Sequence, residues 1–402
     1  MTRRLSPTAA FLLLASLTVS FLAGSSAPTP LYGVYMAQWG LTPLTITLIF
    51  GIYAVAVLLA LLTAGRLSDH LGRRPVLLAA TLAQAVTMSV FFTATGVTGL
   101  LVARVLQGLT TGAALGAIGA GMLDLDKVRG TVANAVAPPF GTAIGAIVSG
   151  MLVQFLPFPT HLVYGVFGLV FIAQALGLVF MNEPGGASIT PRGGVLASLK
   201  PKLNLPRATR DPLLLAMPVL IAVWALGGFY GALSPLLVKG MLGINTPLVG
   251  GLPVFVIATF GGLSVLALQN REAQDVMMLG AASLMVGMGI AALSLPHSDV
   301  AFFFLGSMLA GVGFGAGFQG AVRTVVPFAA PHERAGVLSI IFIISYIALG
   351  VPAVAAGWMI ARHGNLLATA QLFAAVIIAL AGTALLASVM RVATQRVGRV
   401  AG

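Results

Sequence analysis

The sequence has few of the residues on which metalloproteins and thiol enzymes depend. None of its 402 residues is cysteine, which excludes disulfides, thiol catalysis and cysteine-ligated metals. Five histidines are scattered along the chain with no pair at ligand spacing: His70, His161, His297, His332 and His363. No zinc-protease motif, pair of carboxylates within an apolar run or Ser/His pair supports catalysis. We therefore expect neither a metal site nor an enzyme.

Charged residues are also scarce. They make up 7% of the chain, against about 25% in a soluble domain, while 58% of the residues are hydrophobic. This inventory cannot cover a water-soluble surface, so the surrounding solvent must be largely lipid. The apolar runs are continuous rather than alternating, which favours helices over barrel strands. At about 20 residues per span, the length allows about a dozen membrane helices.

The apolar runs predict twelve spans, separated into two sets of six by a polar stretch rich in glycine and proline. The predicted spans are 8–36, 43–66, 75–95, 98–123, 131–155, 161–181, 213–239, 247–269, 276–295, 300–323, 335–361 and 366–390. We therefore expect an N-terminal six-helix bundle over 1–181, a cytoplasmic linker over 182–211 and a C-terminal six-helix bundle over 212–402. Arg3 and Arg4 before an apolar run resemble a secretory signal, but apolar character continues past Ala27, so we expect an uncleaved first span.

The formal net charge of +12 follows a simple spatial rule. With the N-terminus inside, 18 of the 21 Lys and Arg residues fall on the inner side; Lys239 and Arg362 fall outside and Arg104 lies within a span. This asymmetry predicts a multi-pass membrane protein with both termini cytoplasmic, and we expect that membrane to be the cell inner membrane. The basic residues form no clustered face, so we expect no nucleic-acid partner.

One short polar stretch lies between the second and third spans. It has the pattern Gly-x-x-x-Asp-x-x-Gly-Arg-Arg, formed by Gly65, Asp69, Gly72, Arg73 and Arg74. The glycines permit a tight turn and close helix approach. Asp69 can accept hydrogen bonds at a helix N-terminus, and arginines can bind a carboxylate through two parallel bonds.

The pattern resembles the signature loop of the major facilitator superfamily, with Ser68 and His70 where Ala and Arg are usual. The resemblance implies an all-α membrane protein of twelve transmembrane helices in two pseudo-symmetric six-helix bundles. It also implies that Asp124 pairs with Arg73 and that Asp69 caps the eleventh helix near 335–337. The expected cytoplasmic gate thus comprises Gly65, Asp69, Gly72, Arg73, Arg74 and Asp124.

Short motifs recur at a nearly constant offset in the two halves. Gly108 and Gly112 correspond to Gly311 and Gly315 at an offset of 203, and Pro43 corresponds to Pro247 at 204. A constant offset across separate motifs predicts an internal duplication.

Arg104 is the one charged residue well inside a predicted span. A charge at that depth costs about 2.5 kcal/mol or more unless it faces a cavity or a partner. Gln107 shares its helix face, and Arg104-Val-Leu-Gln107-Gly108 resembles the Arg-x-x-Gln-Gly motif of antiporters in this superfamily. We expect a role in the cavity or in coupling; a structural hydrogen bond to a neighbouring helix is the alternative.

The fifth span contains Pro138, Gly141 and Gly145, which predict a bent helix. It partly resembles the Gly-Pro-x-x-Gly motif of exporters, with Ala137 in place of the first glycine. Together with the Arg104 motif, it favours export over uptake.

By the same resemblance, spans 1, 4, 7 and 10 form the cavity wall, with spans 2, 5, 8 and 11 beside them. The polar and aromatic candidates there, besides Arg104 and Gln107, are Tyr32, Tyr53, Asn134, Trp224, Tyr230, Gln319 and Tyr346. Such a wall suits a neutral, cationic-amphiphilic or weakly anionic organic molecule.

We predict a monomeric secondary transporter for such a small molecule, without a cofactor. Its expected activity is proton-coupled efflux of a hydrophobic drug-like or metabolite substrate; an uptake carrier or uniporter is the alternative. None of the nine acidic residues lies mid-span. Coupling could therefore involve Asp124 or Asp69, or a proton-carrying or anionic substrate.

Overall fold

The computed structural model describes residues 4–65, 67–184 and 203–400, with side chains to residue 391. Within these ranges the chain is helical and has no strand, and twelve helices are long and apolar enough to cross a membrane. We number these twelve alone, and they are α1 Pro7–Ser26, α2 Pro43–Ala64, α3 Arg73–Phe92, α4 Val97–Leu125, α5 Lys127–Phe155, α6 Pro159–Val179, α7 Arg207–Leu242, α8 Pro247–Ala267, α9 Ala273–Ser294, α10 Val300–Val325, α11 Arg334–His363 and α12 Leu366–Val400. The predicted fold class is confirmed.

Polar caps define where several helices begin. Ser6 and Thr42 each accept a hydrogen bond from the backbone N–H three residues ahead, and each is followed by a proline at the first helical position. Asp126 and Asp299 cap α5 and α10 in the same way. These side chains satisfy N–H groups that the helix itself leaves unpaired, so the starts of these helices are encoded locally.

The first predicted span is interrupted, and the boundary of 8–36 is wrong in this respect. Helix α1 ends at Ser26, residues 27–31 form turns, and a separate short helix runs from Tyr32 to Trp39. Pro28 and Pro30 lie in the break, and neither has a backbone N–H to continue a helical ladder. The break leaves the last carbonyls of α1 free to accept bonds from other helices.

The predicted linker falls mostly on residues 185–202, outside the part that the structure describes. Helix α7 begins at Arg207, a few residues before the predicted end of the linker. The three-domain division of 1–181, 182–211 and 212–402 stays a prediction.

The two halves use the same glycine contacts. A Cβ at Gly112 of α4 would lie 2.6 Å from the carbonyl oxygen of Val57 in α2. A Cβ at Gly315 of α10 would lie 2.1 Å from the carbonyl oxygen of Gly261 in α8. Equivalent residues therefore let equivalent helices approach closely, in agreement with the offset of 203 between them.

The halves meet through α2 on α11 and α5 on α8. We call the end of the bundle that carries Arg73 and Arg74 the basic end. The close contacts between halves lie toward the other end, where α2 and α8 begin and α5 and α11 end. There a Cβ at Gly357 would lie 2.1 Å from Thr47 Oγ1, and one at Gly150 would lie 3.1 Å from Leu248 Cα.

Candidate functional site

A cavity of about 810 Å³ lies between the two halves. Its wall comes from α1, α2 and α5 of the first half and from α7, α8, α10 and α11 of the second. Thr131, Gln269 and Arg323 line it near the basic end, where α5 begins and where α8 and α10 end. Its deep limit includes Thr29, whose hydroxyl donates to the Gly231 carbonyl across the halves at 2.9 Å. The cavity is therefore open at the basic end and closed at the opposite end.

The predicted cavity residues divide into two groups. Five line the cavity: Tyr53, Asn134, Trp224, Gln319 and Tyr346. Four do not: Tyr32, Arg104, Gln107 and Tyr230. Tyr230 is a core residue of the second half, since its hydroxyl contacts Ser307 Oγ at 3.3 Å and its ring stacks near Phe303. Helix identity was therefore insufficient to choose cavity residues, because each helix also has a face buried in its own half.

Aromatic rings form one wall of the cavity. The ring centroid of Trp224 lies 5.0 Å from that of Tyr346 and 5.6 Å from that of Phe318. The three side chains come from α7, α11 and α10, so the cluster depends on the packing of three helices. Their flat apolar faces suit an organic solute with aromatic or extended hydrocarbon surface.

Among the described residues that line the cavity, Arg323 is the one charged side chain, and no carboxylate is present. Its guanidinium donates to the carbonyl oxygens of Leu268 at 3.4 Å and Arg271 at 2.6 Å, where α8 ends. Sequence reasoning missed Arg323, although it lies one helical turn from Gln319 and shares its face. The described lining of the cavity therefore carries one positive charge and no negative charge.

Arg104 is fully buried and binds the broken end of α1. Its Nη1 donates to the Ser25 carbonyl at 2.8 Å and to Gln107 Oε1 at 2.7 Å, and its Nη2 donates to the Tyr32 hydroxyl. Gln107 Nε2 in turn donates to the Gly24 carbonyl at 2.9 Å. The structural alternative for Arg104, a bond to carbonyls of a neighbouring helix, is thus present in the geometry.

The guanidinium also lies close to the cavity wall. Its Cζ is 5.2 Å from the ring centroid of Tyr53 and 5.8 Å from that of Tyr32. Tyr53 and Ser25 line the cavity. The Tyr53 side chain therefore lies between Arg104 and the cavity. This position is also compatible with a role of Arg104 toward the cavity.

Helix α5 continues through Pro138 and Pro139. Each proline lacks the N–H that would bond the carbonyl four residues earlier, so the carbonyls of Asn134 and Ala135, two cavity residues, lose their usual partners. The predicted bend itself stays a prediction.

The two predicted bend glycines make a close helix contact. A Cβ at Gly141 would lie 2.7 Å from the Val19 carbonyl, and one at Gly145 would lie 2.1 Å from the Ala23 carbonyl. These glycines allow α5 to pack directly on the backbone of α1.

The signature stretch forms a network within the first half. Arg73 Nη1 donates to Asp69 and to Ser68 Oγ, the latter at 2.7 Å, and its Nε donates to Asp124 Oδ2 at 3.3 Å. The contact expected between Asp124 and Arg73 is therefore present. In the described part of the chain, Arg73 is the hydrogen-bond partner of Asp69. The predicted cap on α11 would need the halves to meet at this end, and it stays a prediction.

Glu183, which follows α6, was not among the predicted gate residues. Its carboxylate accepts from the backbone N–H groups of Arg73 and Arg74, the second at 3.1 Å, and so caps the start of α3. Arg74 Nε donates to the Leu178 carbonyl near the end of α6 at 3.0 Å. Gly72 has φ +93°, a conformation that glycine adopts without strain.

Gly65, the first residue of the signature stretch, lies at the end of α2. A Cβ at Gly116 of α4 would lie 3.0 Å from the Gly65 carbonyl oxygen. The signature residues thus connect α2, α3, α4 and α6 at the basic end.

Comparisons with known proteins agree with this architecture. The sequence pattern of the family described as Major Facilitator Superfamily matches residues 13–349. A curated relative, the uncharacterized MFS-type transporter YybF of Bacillus subtilis (strain 168), is 26% identical over 168 residues, which span 40% of this chain and 41% of the relative. The matched part therefore covers less than half of that protein.

Solved structures of two transporters are similar in fold. A bacterial homolog of the human lysosomal transporter Spinster, in an inward-facing and unoccupied conformation, superposes with a TM-score of 0.76 at 14% identity, covering 95% of this chain and 97% of that one. The nucleoside transporter NupG superposes with a TM-score of 0.68 at 12% identity, covering 96% and 98%.

Proposed function

The chain belongs to the major facilitator superfamily, and from that premise we propose that it exports a small, largely apolar organic molecule by proton-coupled alternating access. The family consists of transporters and not of enzymes. The observation that carries the substrate class is the cavity of about 810 Å³, with its wall of Trp224, Phe318 and Tyr346 and, among the described residues, one charged side chain in its lining. A cavity of that size is typical of sites for drug-sized ligands.

We place the basic end in the cytoplasm, because Lys and Arg concentrate in loops on that side of a membrane. The protein then lies in the cell inner membrane with both termini inside, and the conformation described above is inward-open. In the alternate state the halves would separate where Gly357 meets Thr47 and would close over the cavity at the basic end. In that closure we expect Asp69, Arg73 and Asp124 to act as the cytoplasmic gate.

Uptake or uniport is the second candidate. The specific observation in its favour is the absence of a carboxylate from the described cavity lining, because a proton antiporter commonly carries its proton on an acidic group near the site. If the protein is a proton antiporter, Asp69 and Asp124 of the proposed gate are the acidic groups that we expect to carry the proton.

The experiment uses inside-out membrane vesicles and a panel of neutral and anionic apolar compounds. We expect accumulation of at least one compound upon energisation, and its loss upon addition of a protonophore. Entry that stops when the compound is equilibrated across the vesicle membrane, with or without the protonophore, would indicate uniport, and accumulation only in right-side-out vesicles would indicate uptake. Vesicles with the variant Trp224→Ala provide the control for passage through the cavity, since this change removes one aromatic face of the wall.

A further inference from the structure

We propose that the first half contains an anion site centred on Arg104, behind the cavity wall formed by Tyr53 and Ser25. The site would take a monovalent anion, either a carboxylate carried by the substrate or a free inorganic anion such as chloride. The first of these sources rests on the proposed transport function, whereas the second does not.

Within the described part of the first half, no carboxylate lies near the buried guanidinium. Arg104 is 0% exposed, and the groups that accept from it are a carbonyl, an amide oxygen and a phenol, all neutral. It lies about two turns from the start of α4, whereas Asp124 lies at the other end of that helix, about 30 Å away at 1.5 Å per residue. The remaining acids of the described first half, Asp69, Asp126 and Glu183, are also at the basic end.

The end of α1 compensates only part of this charge. Arg104 and Gln107 bind the carbonyls of Ser25 and Gly24 in the last turn of α1. A helix C-terminus carries the equivalent of about half a negative charge. The ring faces of Tyr32 and Tyr53 add a weaker attraction, so the positive charge is compensated only in part inside the membrane, where an isolated charge is costly.

The neighbouring polar atoms that lack partners point to the same ligand. Of the five N–H groups of a guanidinium, Arg104 donates three, and its Nε has no partner among the described residues. The fully buried Gln84 has an unpaired Nε2, which lies 3.7 Å from a Cβ built at Gly24. Both nitrogens can only donate, and unpaired donors on and near a buried cation are what an anion requires.

Water could accept from these donors, but it would leave the positive charge in place. An anion satisfies both requirements at once, and charge-assisted bonds are about twice as strong as neutral ones. The ring of Tyr53 separates Arg104 from the cavity. In this proposal, displacement of the Tyr53 side chain would connect the Arg104 cluster to the cavity, so a substrate carboxylate and a free anion would share the same route.

The test measures thermal unfolding of the purified full-length protein as sodium chloride or sodium benzoate replaces sodium morpholinoethanesulfonate at constant ionic strength. We expect a saturable rise in the unfolding temperature of the unmodified protein. Stabilisation by both probes indicates a free-anion site, and stabilisation by benzoate alone indicates a carboxylate subsite. If neither probe produces a saturable rise in the unfolding temperature, the proposal is overturned.

Arg104→Gln should weaken the binding of the anion by about tenfold or more, because it removes the charged donor. Arg129→Gln, which removes an equal charge from the exposed surface of α5, should leave the anion response unchanged. If Arg104→Gln does not fold, Gln84→Leu should weaken the response in the same direction without changing net charge. The proposed anion site is contradicted if Arg104→Gln keeps the full anion response. The same holds for Gln84→Leu if that is the variant measured. Transport in vesicles is measured separately, so loss of the anion site and failure of the transport proposal are distinguishable.

Discussion

Gly357 is the residue at which a single methyl group should change the conformation of the whole protein. It lies where α11 crosses α2 at the end opposite the basic end, and its contact joins the two halves. A Cβ at this position would lie 2.1 Å from Thr47 Oγ1, 2.7 Å from Thr47 Cγ2 and 2.9 Å from the Pro43 carbonyl oxygen. Thr47 is fully buried and its hydroxyl donates to the Leu44 carbonyl at 3.0 Å, so it has little freedom to move aside.

The magnitude follows from the overlap. An ordinary contact begins near 3.4 Å, so Gly357→Ala requires α2 and α11 to separate by roughly 1 Å, and overpacking of this kind costs about 1–3 kcal/mol. Much of that cost applies to the conformation described here, because in the proposed alternate state the halves separate at this contact. A differential free energy of about 1–3 kcal/mol shifts a two-state equilibrium about 5–150-fold. We therefore expect the variant to populate the state open at the opposite end.

The assay is a distance measurement between spin labels. The chain has no cysteine, so two introduced cysteines are the only attachment sites. Phe155 at the end of α5 and Leu293 near the end of α9 lie in different halves at the opposite end and are 68% and 74% exposed. In Gly357→Ala, the population at long distance should rise over that of the parent protein.

The matched control is Gly289→Ala, since a Cβ there would meet no atom within 4 Å. Adding Thr47→Ala to Gly357→Ala removes the two nearest overlapping atoms and should restore most of the parent distribution. If Gly357→Ala unfolds at a lower temperature while its distances stay those of the parent, the link between this contact and the conformational equilibrium is refuted. Equal shifts in the Gly289 control would refute it as well.

Three further predictions concern the basic end and the cavity. Asp69→Asn should impair transport at normal expression, because it removes the charge that binds Arg73 but hardly changes size; normal transport in vesicles would exclude the gate role. Glu183→Gln should destabilise the start of α3 by about 1 kcal/mol, which should appear as faster amide hydrogen exchange in the first turn of α3. Unchanged exchange would contradict the capping role of Glu183. Trp224→Ala should weaken substrate binding in a fluorescence titration, whereas Trp358→Ala, 48% exposed on α11, should not; equal losses would mean that the rings of Trp224, Phe318 and Tyr346 do not form the site.

The positions of Tyr53 and Tyr230 illustrate the limit of reading a site from the sequence. Both are tyrosines on helices expected near the cavity, and both were candidates. Tyr53 faces the cavity and the side chain of Arg104, whereas Tyr230 faces Ser307 and Phe303 in the core of the second half. The difference is one of rotation about a helix axis, and in helices that are apolar all round, no polar stripe in the sequence marks the cavity face.

Glu183 and Arg323 were missed for a related reason. Each lies near a helix end at the basic end, where charged residues are expected on any membrane protein and carry little information. Their roles appear only when the start of α3 meets the end of α6, and when the end of α10 meets the end of α8. These are contacts between segments far apart in the chain.

The sequence by itself determined that the protein dissolves in a bilayer, that it crosses it twelve times, that its halves are repeats and that the Gly65–Pro75 stretch lies at one face. Each of these follows from local composition or from spacing, because a helix in lipid satisfies its own backbone and needs only an apolar run of sufficient length. The tertiary structure alone decided that the cavity is open at the basic end, which aromatic residues face it, and that Arg104 binds the broken end of α1 without a carboxylate. The opening depends on how the two halves contact each other, for example where Gly357 meets Thr47. The aromatic wall and the contacts of Arg104 depend on how helices distant in the sequence pack within one half.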